Sequence, residues 1–207
     1  MKKVTGPTPN TGRPRDPLVE RRVFAATLDV FGRLGWSGFS IDQVISLART
    51  GKSSVYLRWD NKEELLRAAM DELEVYFTIP EPDENMSLVE HLREYAFRRA
   101  QQYFEPEGLA VIRLHVEHLA DPSFFHGIWD ATAGKAIRSE RAWLHRAIEK
   151  GELKPNTSVS QLGNAIEGSL MIHVLACPPE LRDRAIRNLR RYVNDLVDTL
   201  VVPSLAT

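Results

Sequence analysis

Apolar residues recur along the chain at helical intervals, and no pair of segments shows the alternation expected of paired strands. In "LVERRVFAATLDVFGRLG", residues Val23, Ala26, Thr27, Val30, Phe31 and Leu34 fall on one helical face. Asp16-Pro17 opens this helix as a cap followed by proline at the first helical position, and Gly35 or Gly38 closes it. Ser40-Ile41-Asp42-Gln43 has the capping-box form and opens a short helix that ends near Ala48. A turn and a second short helix, about 52–58, follow; Asn61-Lys62-Glu63-Glu64 then starts a helix reaching about Phe77. Further helices are predicted over about 87–104, 107–119, 122–150, 158–176 and 179–201, with caps at Ser87, Asp121 and Ser158. The fold class is all-α.

Between the two short helices lies Gly51-Lys52-Ser53, which resembles the end of a phosphate-binding loop. Such a loop needs a glycine five residues earlier and a strand before it, because its backbone amides close around phosphates. Ser46 stands at that position, and "IDQVISLA" reads as a capped helix, so a nucleotide loop is excluded. Two short helices joined by a tight turn behind a longer helix are instead a helix-turn-helix. Ile41, Val44, Ile45, Ala48 and Val55 can pack inward, which leaves Lys52, Ser53, Ser54, Tyr56 and Arg58 outward. Hydroxyls, lysine and arginine suit phosphate oxygens and base edges.

Residues of about 21–66 resemble the DNA-binding domain of the TetR family of bacterial transcriptional regulators. "RRVFAATLDVFGRLGWSGFSIDQV" is similar to the family's first helix, Gly-aromatic turn and second-helix opening. "GKSSVYLRWDNKEELL" is similar to its third helix and to the Lys-Glu start of its fourth. The resemblance implies that Ser40 aims a helix N-terminus at a phosphate and that Lys52, Ser53, Ser54, Tyr56 and Arg58 face the groove. It also implies that Lys62 meets phosphate, whereas Trp59 reads as a packing residue. The chain departs from the family at Arg49, where the family usually has glycine. A left-handed conformation there strains arginine, unless Gly51 takes over the kink; an exposed Arg49 is also a candidate phosphate contact.

Charge supports the assignment. Twelve of the 27 Lys and Arg but only seven of the 28 Asp and Glu lie in the first 67 residues, an excess of five positive charges against an excess of six negative over the remainder. A basic front and an acidic back place the polyanion partner at the front. Residues 1–17 read as a disordered basic arm whose Arg13 and Arg15 can enter a minor groove. Residues 18–66 then form the helix-turn-helix domain and 67–207 a larger helical domain. The N-terminus has no apolar stretch behind its lysines, no apolar run is long enough for a membrane span, and Cys177 is the single cysteine. These features lead to the expectation of a cytoplasmic protein without membrane contact.

For residues 67–207 the resemblance implies binding of a small organic effector and homodimerisation through the last two long helices. Pocket candidates by aromatic or polarisable character are Tyr95, Phe97, Phe104, His115, His118, Phe124, Phe125, Trp129, Trp143, Met171 and His173. Interface candidates are Gly163, Ala165, Gly168, Ser169 and Ile172, with Leu189, Val193, Leu196 and Val197 from the last helix. His115 and His118 share a helical face, but no third ligand stands at a telling spacing, so no metal or other cofactor is expected. None of the six histidines follows a glutamate by three residues, and no Gly-x-Ser-x-Gly elbow is present, which argues against a helical-bundle enzyme. The other alternative is a helical ligand-binding protein that has lost DNA recognition. The preferred reading is a repressor that binds a near-palindromic operator as a dimer and is released by its effector.

Overall fold

The computed structural model describes residues 17–73 and 86–206. The expected basic arm, with Arg13 and Arg15, and the stretch after Leu73 lie outside the described residues. The first helix, α1 (Pro17–Gly38), is broken at Gly35, which adopts φ 65°. Before the break it buries Val23, Phe24, Ala26, Thr27, Leu28, Val30 and Phe31. Leu34, expected on this face, is exposed instead, because the break at Gly35 ends the regular packing stripe.

Helices α2 (Ile41–Ala48) and α4 (Lys62–Asp71) fold against α1, and α3 (Lys52–Tyr56) packs on α2. Ser40 Oγ accepts from Gln43 N, and Asn61 Oδ1 accepts from Glu64 N at 2.9 Å, so local hydroxyl and amide caps set both starts. Buried Val44, Val55, Trp59, Leu65 and Leu66 complete this core, with Trp59 packed on Phe24 at 5.5 Å between ring centroids.

The larger domain comprises α5 (Leu88–Phe104), α6 (Gly108–Ala120), α7 (Pro122–Trp129), α8 (Lys135–Glu149), α9 (Val159–Leu175), α10 (Arg182–Arg187) and α11 (Leu189–Val201). Ser87 and Glu90 form a complete capping box, and Asp121 caps α7 ahead of Pro122. The single helix expected over 122–150 is divided by a π-helical turn, Asp130–Gly134. That over 179–201 is divided at Asn188, whose side chain donates back to the Arg184 carbonyl. Among the described residues no helix is long and apolar enough to cross a membrane.

The domains meet where α1 packs on α6. Glu117 Oε1 accepts the Trp36 backbone N–H at 2.9 Å, and Arg113 Nε donates to the Gly32 carbonyl at 3.3 Å. A Cβ on Gly35 would stand 2.6 Å from Glu117 Oε1, so glycine is required here by space as well as by its positive φ. The Trp36 ring packs on Phe124 and Phe125 from α7, at 4.8 and 5.6 Å.

Candidate nucleic-acid interface and internal cavity

The turn between α2 and α3 keeps its expected shape but at Arg49, which takes φ 49° and ψ 51°; Gly51 is extended with φ −76° and caps α3. The kink is therefore not relocated to the glycine, and an exposed arginine bears the left-handed conformation. Its backbone N–H bonds the Ile45 and Ser46 carbonyls, closing α2 despite the strain.

Beyond the turn, Lys52, Ser53 and Tyr56 are exposed and Ser54 half-buried on α3. Lys52 Nζ pairs with Asp42 at 2.9 Å, but both side chains are about two-thirds exposed, so the pair is weak and exchangeable. Arg58 is half-buried, and its Nη1 is buried with no hydrogen-bond partner among the described residues. Lys62 is turned inward: its ammonium donates to the carbonyls of Trp36 and Phe39 at 3.0 and 3.3 Å, and stands 3.9 Å from the Trp36 ring centroid. An ammonium has three donors, so one remains for a phosphate. Leu57, which the sequence reading passed over, is 86% exposed directly after α3. An apolar side chain at that place can meet a thymine methyl.

A second feature lies inside the larger domain. A cavity of about 250 Å³ opens between α5, α6, α8 and α9. Of the expected pocket residues, Tyr95, His115 and Met171 line it. The remainder lie elsewhere. Phe125 is core, and Phe124 packs on Trp36. His118 stacks on Trp129, whose Nε1 donates to His115 Nδ1 at 3.1 Å behind the lining. Trp143 packs on His91, Phe97 lies under Arg190, Phe104 lies under Arg182, and His173 stacks on Tyr192.

Aromatic character does not point to the polar lining: Arg99, Tyr103, Glu140, Asn164 and Glu167. Tyr95, Arg99 and Tyr103 are spaced by four on α5, a polar stripe on a buried face that gives the only sequence signal. All three converge on Glu167. Tyr95 Oη and Arg99 Nε donate to Oε1 at 2.7 and 2.9 Å, and Tyr103 Oη donates to Oε2 at 2.8 Å. Burial opposes ionisation of Glu167, but Arg99 and these hydrogen bonds hold its carboxyl below the usual carboxylate range. The same burial pushes both phenols up.

The family model described as "Bacterial regulatory proteins, tetR family" matches residues 23–69, which hold the turn and all of α2 and α3. The chain thus carries a TetR-family DNA-binding domain. It is similar over most of its length to the protein of Mycobacteroides abscessus named DNA-binding transcriptional repressor TetR. The two are 28% identical over 182 residues, covering 87% of this chain and 93% of that one. A Bacillus subtilis relative, the HTH-type transcriptional regulator YdeS, is 24% identical over 183 residues, or 86% and 89% of the two chains. The solved structure of TylP, a TetR regulator of Streptomyces fradiae, shares the fold with a TM-score of 0.66 at 21% identity, covering 93% of this chain and 89% of that one. Like the TetR family at large, this chain is a DNA-binding transcriptional regulator with an N-terminal helix-turn-helix and a C-terminal helical domain.

In the larger domain the interface candidates separate into two sets. Leu189, Val193 and Val197 are buried in the protomer's own core, where α11 packs on α5. Gly163 is also buried, and a Cβ there would stand 3.0 Å from Glu140 Oε2, so its smallness makes room for that carboxylate. None of these can face a partner. Ala165, Gly168, Ser169 and Leu196 are half-buried, while Ile172 is 61% exposed. Exposed Leu175, Leu181 and Ile186 extend the apolar surface around an open hollow lined by Ile172, Leu181, Ala185 and Tyr192.

Proposed function

We propose that this regulator is a repressor that binds a near-palindromic operator as a homodimer in the cytoplasm and leaves it when a small organic effector fills the internal cavity. The observation carrying this reading is the double duty of α6. His115 on that helix lines the cavity, while Arg113 and Glu117 hold the α1 backbone at Gly32 and Trp36. An occupant that shifts α6 therefore acts on the helix carrying the DNA-reading elements, and it can do so only by binding the two positions of α6 with different affinity.

On the DNA side, Lys52, Ser53, Ser54 and Tyr56 face the major groove, and Leu57 joins them. Ser40 presents the α2 N-terminus to phosphate, with Arg49, Arg58 and the third proton of Lys62 as flanking phosphate donors. Arg13 and Arg15 are assigned to the minor groove on charge alone. Apolar Ile172, Leu175, Leu181 and Ile186 supply the face for a second copy, which sets two α3 helices about one DNA turn apart. No cofactor is required.

The test is fluorescence anisotropy on labelled DNA from directly upstream of the protein's own gene, against scrambled DNA, over a salt series. Tight, selective binding with a steep salt slope is expected. Equal, weak binding to both that is not improved by Arg49→Gly would overturn the assignment of this operator.

A further inference from the structure

The cavity holds two carboxylates in opposite situations. Glu167 receives three hydrogen bonds and a cation. Glu140, on α8, is 3% exposed, yet its Oε1 is buried without any hydrogen-bond partner among the described residues. Gly163 keeps a space open for it that any other residue would occupy. A buried acceptor left in this state costs free energy unless something arrives to satisfy it.

The charges of the lining say what that something is. Arg99 is the cation of the cavity, and its nitrogens are committed to Glu167, Gln102 and Tyr103. His115 is held neutral: burial lowers its affinity for a proton, and its Nδ1 accepts from Trp129. With Glu167 cancelled by Arg99, ionised Glu140 leaves the lining one negative charge in excess. An anionic ligand would have to pull Arg99 away from Glu167. A neutral one would leave the charge uncompensated. Resting on the reading of this cavity as the effector site, we propose that the effector is a compact organic cation, an alkyl- or aralkylammonium, whose charge pairs with Glu140. Its carbon skeleton lies against Ile137, Met171 and the ring of Tyr95, and its size is bounded by a volume of about 250 Å³, below that of a drug-sized site.

The experiment is calorimetric titration of the full-length protein, without DNA, at about pH 8, where Glu140 is ionised. The probes are 2-phenylethylamine and cyclohexylamine, each against its matched alcohol and carboxylate. The ammonium ions are expected to bind at least about tenfold more tightly than their partners. In Glu140→Gln, which preserves shape and folding as checked by its melting curve, the preference disappears. Equal or tighter binding of the alcohols or carboxylates overturns the proposal, as does failure of both amines to bind or an ammonium preference that survives in Glu140→Gln. The same amines are then added to the protein on operator DNA. Glu140-dependent binding that leaves the DNA complex intact keeps the cation site and removes its regulatory role.

Discussion

The DNA-facing surface and the cavity use polar side chains in opposite ways. On α2 and α3 they project into solvent with few partners, and the pair Lys52–Asp42 is exposed on both sides. Around the cavity they are enclosed, and Arg99 and Glu167 retain only 10% and 17% of their side-chain exposure. The first arrangement leaves donors free for a polyanion without engaging the core. The second, under the proposed reading of the cavity as the effector site, ties ligand chemistry to folding, so substitutions there change stability and recognition together.

Removing the centre of the network should show this most strongly. Glu167→Ala strands the Arg99 guanidinium in the interior and is expected to cost about 3–5 kcal/mol in chemical denaturation. The opposite sign is expected at Glu140. Burial, then the charge of Glu167, raises its carboxyl to about 7, against the pull of Arg99 and Arg141. Below the ordinary value of 4.5 it is protonated whether folded or not and costs nothing; between there and about 7 only the unfolded carboxyl ionises, so the cost builds across that range and levels off above it. Glu140→Gln should therefore stabilise the protein by up to about 3 kcal/mol above about pH 7 and by little at or below about 4.5, as read by melting curves across pH.

Effects at the DNA-facing end are smaller. Arg49→Gly relieves the left-handed strain and is expected to raise stability by about 1 kcal/mol, while the loss of one phosphate donor weakens operator binding modestly and lowers its salt slope. Lys52→Ala should leave stability within about 0.5 kcal/mol of the parent while weakening operator binding and reducing its salt slope. A large loss of stability in Lys52→Ala, or none in Glu167→Ala, would erase the distinction between the two regions.

The same contrast explains what could be read from sequence. Caps such as Ser40, Asn61, Ser87 and Asp121 act on amides within three residues, so the helix starts they set are local facts of the chain. The helix-turn-helix is likewise contiguous. The cavity is assembled from separate helices, and Glu140, Arg99 and Glu167 carry no mutual spacing that announces their meeting. Aromatic character is a poor guide to the cavity because most aromatic side chains here fill core, as Phe125 and Trp143 do. The stripe of Leu189, Val193 and Val197 was ambiguous for a related reason: an apolar helix face does not reveal whether its cover is the same chain or another copy.

The contacts from Glu117 and Arg113 to α1 are addressed to the main chain, to the N–H of Trp36 and the carbonyl of Gly32. Main-chain groups persist through mutation, so the linkage tolerates drift in the side chains of the helices it controls. Under the proposed effector reading, operator preference and inducer preference can then diverge independently over generations. A hybrid joining residues 17–73 of this chain to the larger domain of a relative with an acid at the Glu117 position should inherit the first parent's DNA preference and the second parent's inducer.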